Sequence, residues 1–166
     1  MCDYDTTFVK SEKGLYHASG PITSDDIIRT AAAILQENLT RGDTLSHPEE
    51  AARFLQMTLA NEKNEHFAVL FMNNKNQVLS FERLFSGTID GATVHPRIVV
   101  QKALEWNAAS VILAHNHPSG HSEPSQADRD VTQLQVKALD LIDVRVLDHL
   151  VVSQSGWESL SRRGWV

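Results

Sequence analysis

The sequence predicts an α/β or α+β fold: a mixed β-sheet flanked by helices and preceded by two short helices. Three observations carry that prediction. Beyond residue 63, short apolar or β-branched runs alternate with stretches whose apolar residues recur at helical spacing. Turn-forming Asn, Gly and Pro residues separate them, as at Asn73-Asn74-Lys75-Asn76 and between Pro118 and Gly120. A chain of 166 residues is also long enough for one domain to bury a core without disulfides.

Residues 1–20 show no clean period and end in Ser19-Gly20-Pro21, so they read as an N-terminal tail or extended arm. Residues 21–62 read as a helical preface. From residue 23 to about 39, Ile27, Ile28, Ala31, Ile34, Leu35 and Leu39 follow helical spacing, and Thr23 with Asp26 suits a capping box. Ser46 with Glu49 offers a second box ahead of Ala51, Ala52, Phe54, Leu55 and Leu59, so a second helix is expected to end near Asn61. In residues 63–166, the apolar run 67–71, the polar break 73–76 and the run 78–81 read as a β-hairpin. A helix follows from Pro96 to about Trp106, with proline suited to its first turn. The strand 110–114 delivers His115 at its C-terminal end. Residues 125 to about 141 return to helical spacing through Val131, Leu134, Ala138 and Leu141, and 144–152 is rich in β-branched residues.

Composition removes several function classes. No apolar run approaches the roughly 18 residues of a membrane helix, and the first thirty residues lack the basic start and apolar middle of a signal peptide, so a cytoplasmic location is expected. Cys2 is the only cysteine, so a metal bound within one chain must use nitrogen and oxygen donors. The net charge of −6, with both signs mixed along the chain, does not give the wide basic face of a nucleic-acid binder. Arg97, Lys102, Arg145, Arg162 and Arg163 read as scattered surface charges. Trp106, Trp157 and Trp165 are expected in the core, with a homodimer contact as the alternative.

The chemistry concentrates in His115-Asn116-His117-Pro118-Ser119-Gly120 and in Ser125 and Asp128. One histidine in a loop is ordinarily a surface residue. Two imidazoles one residue apart, delivered by an apolar strand into a turn, can reach a single ion, and Asp128 would be the third ligand. Three protein ligands leave one position of a tetrahedral zinc open, the mark of a catalytic rather than a structural site. Ser125 and Asp128 also have a plain structural explanation as a capping box, and both roles can coexist. His121 would close the open position if it were a ligand, so it is expected to face solvent. His17, His47 and His66 carry no functional expectation.

These residues fit the pattern HxHx7SxxD, and the longer string resembles the RadC family of JAMM (MPN-type) zinc metalloproteases. The resemblance extends through Leu84-Phe85-Ser86-Gly87-Thr88, Val94-His95-Pro96-Arg97 and 144–149, covering about residues 63–166. It implies the JAMM fold, similar to cytidine deaminases, and zinc on His115, His117 and Asp128. It also implies Glu65 as general base for a metal-activated water and Ser125 as stabiliser of the oxyanion. Glu82 is the rival base. His95, Asp148 and His149 fall in shared stretches and are candidates for orienting the ligands, with packing in the core or a hairpin an equal expectation. Full-length relatives carry a helix-hairpin-helix domain for which residues 21–61 are too short. The chain therefore reads as a short form, and a DNA-repair-associated role is not carried over.

The function this implies is a zinc-dependent peptidase or isopeptidase acting on a peptide or protein, with no membrane or nucleic-acid partner. A non-catalytic scaffold and a nucleic-acid processing protein are the alternatives. A zinc base deaminase is excluded because its HxE and PCxxC signature is absent. The consecutive His-Asn-His is not the dispersed triad of an HNH nuclease.

Overall fold

The computed structural model describes residues 8–40, 45, 48–87 and 93–166. Its elements run β1 (Phe8–Lys10), β2 (Tyr16–Ala18), α1 (Ser24–Thr40), α2 (Pro48–Leu59), β3 (His66–Met72), β4 (Val78–Ser86), α3 (Pro96–Glu105), β5 (Ser110–Asn116), α4 (Gln126–Asp140), β6 (Arg145–Ser153) and β7 (Gly156–Ser159). Strands β4-β3-β5-β6-β7 form one mixed sheet. Only β5 and β6 are parallel, as expected for strands joined through a crossover helix, here α4.

Alternation along the strands divides the interior into two cores. On one face, Ala68, Leu70 and Met72 of β3 and Ile112 and Ala114 of β5 pack under Phe54, Leu55 and Leu59 of α2. On the other, Phe67, Val69, Phe71, Val111 and Leu113 meet Val99 and Ala103 of α3 and Leu139 of α4. Each fully buried large side chain of α2 contributes on the order of 1.5–3 kcal/mol. That helix therefore belongs with the sheet in space, although the sequence reading grouped it with α1. No helix among the described residues is long and apolar enough to cross a membrane.

Local chemistry explains most boundaries. Thr23 and Asp26 make the expected box at α1, with Thr23 N donating to Asp26 Oδ2 at 2.8 Å and Asp26 N to Thr23 Oγ1 at 3.2 Å. The Ser46 half of the second box lies outside the described residues. Asn73 Oδ1 accepts from Lys75 N and Gln77 N at 2.8 and 3.1 Å, closing the β3–β4 turn. Two short elements were not expected. Within the predicted tail, β1 and β2 pair as a small hairpin whose strands are largely exposed, so no apolar alternation advertises it. β7 is four residues long, too brief for a periodic signal.

The surface charges are largely spent on carboxylates: Arg162 on Glu49, Arg163 on Glu123 and Glu158, Lys102 on Glu82 and Glu105. The tryptophans differ from expectation. Trp157 packs half-buried beside the α2 core, Trp165 lies between Arg129 and Arg163, and Trp106 is exposed.

Candidate metal centre

Strand alternation places His115 on the α3–α4 face of β5 and Asn116 on the α2 face. His117 lies just beyond the strand, but its N–H donates to Val152 O at 3.0 Å and so keeps it on the sheet. The chain then turns through Gly120, whose φ of +86° suits glycine. Ser155 Oγ donates to the Gly120 carbonyl at 2.7 Å, and Arg163 holds Glu123 at 2.7 and 2.8 Å. Those bonds fasten the loop that leads to the N-terminus of α4.

Ser125 caps α4: it accepts from Asp128 N at 3.2 Å, while Ser125 N and Oγ donate to Asp128 Oδ2 at 2.6 and 2.7 Å. The box occupies Oδ2 and leaves Oδ1 facing His115. His115 Nε2 lies 3.0 Å from His117 Nε2 and 3.0 Å from Asp128 Oδ1, and His117 Nε2 lies 3.5 Å from Asp128 Oδ2. Donors about 2.0–2.1 Å from a tetrahedral ion are roughly 3.3 Å apart, so the spacing suits one small cation. His115, His117 and Asp128 thus form a group able to hold a metal ion.

The surrounding bonds assign the ring protons. Thr132 Oγ1 lies 2.6 Å from the Asp128 carbonyl, which can only accept, so the hydroxyl proton goes there. His149 Nδ1, 2.5 Å from Thr132 Oγ1, must then be the N–H donor. That leaves His149 Nε2 to accept from His115 Nδ1 at 2.8 Å, and His115 Nε2 carries its lone pair toward Asp128. His117 reaches the same state by another route, donating from Nδ1 to the His121 carbonyl at 3.0 Å. In these tautomers two imidazole lone pairs and a carboxylate oxygen crowd together, a donor set that can hold a cation between its members or, without one, take up a proton between His117 and Asp128.

Ionisation follows the same logic. Hydrogen bonding to Asp128 raises the pKa of His117 against the opposing effect of burial. Burial works to raise Asp128, but His115 and His117, once a proton sits on the Nε2 that faces it, outweigh burial and hold the carboxyl well below its usual range. Burial, then the neighbouring His115, push His149 well below the ordinary imidazole value. The buried ring is neutral and keeps one nitrogen to accept from His115.

Glu65 precedes β3 on the same sheet face as His115. Phe67 pairs with His115, so continuing that antiparallel ladder by two residues sets Glu65 across from His117. Its charge is among the influences raising the pKa of His117. Glu82 pairs with Val69, further down the sheet, where its carboxylate takes bonds from Trp106 Nε1 at 2.5 Å and Lys102 Nζ at 3.4 Å. Asp148 accepts from His149 N, Ser159 Oγ and Ser161 N, tying β6 to β7 rather than touching a ligand. His95 packs edge-on to Phe85, and among the described residues no hydrogen bond links it to the site. His121 exposes its ring, and only its carbonyl reaches His117. Thr132 was not singled out from sequence. Its position four residues after Asp128, one helical turn along the same face, was the available signal.

A family model described as the RadC-like JAB domain matches residues 45–165. A UPF0758 protein of Alcanivorax borkumensis is 54% identical over 132 residues, covering 80% of this chain and 59% of that protein. A UPF0758 protein of Vibrio cholerae serotype O1 is 49% identical over 140 residues, covering 84% and 88%, and one of Vibrio campbellii is 46% identical, covering 84% and 62%. The matched segment thus spans less than two thirds of the first and third of these relatives.

Proposed function

Because the chain belongs to the family of RadC-like JAB domains, we propose that it is a metal-dependent hydrolase, with zinc as the ion and a peptide or isopeptide bond as the one cleaved. The single observation that carries this reading is the convergence of His115 Nε2, His117 Nε2 and the Asp128 carboxylate, with Glu65 close enough for its charge to act on His117. The donors are nitrogen and carboxylate oxygen, the set zinc takes in hydrolytic sites with three protein ligands. An ion held there by His115, His117 and Asp128 would supply Lewis-acid polarisation and acidify a water molecule.

The residues of the chain supply the rest. Glu65 takes the proton of the attacking water at its carboxylate and returns it to the departing amine. Ser125 Oγ–H, which bonds to Asp128 Oδ2 in the resting arrangement, turns toward the oxygen on which charge develops. His149 and Thr132 hold His115 in the tautomer that presents Nε2. The fastened loop and the cap of α4 place these groups before a substrate arrives.

Elemental analysis of tag-free protein tests the metal, with about one zinc per chain expected in the wild type and its loss in His117→Ala. A quenched peptide and isopeptide library tests the chemistry. Glu65→Gln is expected to retain zinc and lose roughly 10²–10⁴-fold in turnover. A wild type that takes up no transition metal overturns the hydrolase reading in favour of a scaffold. A fully active Glu65→Gln protein removes Glu65 as the base.

A further inference from the structure

Between the two histidine ligands, Asn116 is completely buried and directs its carboxamide to the sheet face opposite the ligands. Its bonds are not to the ligands. Oδ1 accepts from His66 N at 2.8 Å, and Nδ2 donates to Asn64 O at 3.0 Å and reaches Glu62 O at 3.5 Å. Those partners bracket Glu65 on both sides. The carbonyl of Glu65 itself accepts from Gly87 N at 2.8 Å. The peptide groups before and after Glu65 are thus pinned to the strand end that carries both histidines.

We propose that Asn116 is a positioning residue for Glu65: its carboxamide fixes the backbone on either side of the glutamate to the ligand-bearing end of β5. One strand terminus then sets two things at once, ligands on one face and base placement through the other. The physical reason for asparagine is its inventory of an acceptor and a donor on one short, rigid group. Aspartate lacks the donor for Asn64 O, and alanine lacks both. A buried apolar residue at 116 would also leave His66 N–H and Asn64 C=O short of a partner. This proposal rests on the reading of Glu65 as the base.

The full chain loaded with Co2+ tests it without a known substrate. The probe gives two readings: Co2+ affinity, and the pH at which the visible spectrum inflects. Glu65→Gln is expected to move the inflection. Asn116→Ala is expected to move it in the same direction by at least half as much, with Co2+ affinity within threefold of the wild type. Amide exchange at His66 should accelerate at least tenfold in Asn116→Ala, with or without metal. If Asn116→Ala fails to fold, Asn116→Ser, too short to span both partners, carries the same expectations. An unmoved inflection in the Asn116 variant beside a moved one in Glu65→Gln overturns the positioning role alone. A loss of Co2+ affinity comparable with His117→Ala overturns it too, because Asn116 would then be acting on the ligands. An unmoved inflection in Glu65→Gln overturns the base assignment and this proposal with it.

Discussion

The two histidines of the candidate metal centre stand two residues apart and are held by different means. His115 is buried and oriented by side chains, through His149 and Thr132 back to the main chain of Asp128. His117 is partly exposed and oriented by main chain alone, through the His121 carbonyl. The first support closes a ring that joins two ligands from different elements, β5 and α4, so disturbing any member disturbs both. The second depends on the path of a loop and tolerates changes of side chain. The difference teaches where the site can be broken.

The largest effect is expected where ligand and scaffold coincide. Asp128→Ala removes a ligand, the partner of the Ser125 cap and the counter-charge for both imidazoles. Zinc should be lost from the purified protein. The chelated protein should also lose about 1 kcal/mol of stability from the half of the capping box in which Ser125 N and Oγ donate to Asp128 Oδ2, read as a lower melting temperature in the presence of chelator. His117→Ala should lose zinc without that second penalty, which separates the two roles of the aspartate.

Next in size is the ring itself. Thr132→Val nearly preserves shape but leaves the Asp128 carbonyl and His149 Nδ1–H without their shared hydroxyl. His149 is then free to change tautomer and to turn His115 away from the Nε2-ligand form. Zinc affinity is expected to fall about 10–100-fold in a competition titration with a chromophoric chelator. An unchanged affinity would mean that burial by itself orients His115.

Proton competition follows, and here the sign reverses between the two forms of the protein. In the metal-free chain His117 is raised above its ordinary 6.5 by Asp128. Its contribution to stability is present in full below that value and is lost as pH rises through the raised one. The depressed Asp128 contributes above its ordinary 3.8 and fails only in stronger acid. Metal must displace the His117 proton, so affinity should drop about tenfold per pH unit below the raised pKa. Melting curves from pH 6 to 8 should therefore fall for the metal-free protein and rise at fixed subsaturating zinc. Parallel slopes would show that the pair does not share a proton.

This contrast also explains what could be read from the sequence. The grouping of His115, His117 and Asp128 and the cap at Ser125 were legible because metal-ligand and capping chemistry each constrain residue type and spacing together, and the sheet with its helices was legible because buried faces impose period. Glu65 was visible only through family resemblance, since in a polar run nothing local separates it from Glu62. Extending the register of β3 on β5 two residues past its last pair, Phe67 with His115, brings Glu65 level with His117. Support by main chain leaves no trace in side-chain identity, so the role of the His121 carbonyl was hidden. The β1–β2 hairpin was hidden for a related reason, because exposed three-residue strands bury no face. His95, marked by a shared stretch of sequence, was open to either ligand support or packing, and its ring packs on Phe85.

The smallest expected effect is the sharpest test of the comparison. His121→Ala deletes an imidazole from the loop beside the site, a change that would cost dearly if that ring were a ligand. The ring is exposed and the bond to His117 comes from the carbonyl, which alanine retains. Zinc affinity and the pH dependence of binding should each stay within twofold of the wild type. His121→Pro fixes φ at that position and restricts the conformation of Gly120 before it, so it should shift the loop carbonyl and weaken zinc binding where alanine does not. If alanine weakens binding as much as proline, His117 depends on the His121 side chain, and the distinction between a side-chain-held and a main-chain-held ligand fails.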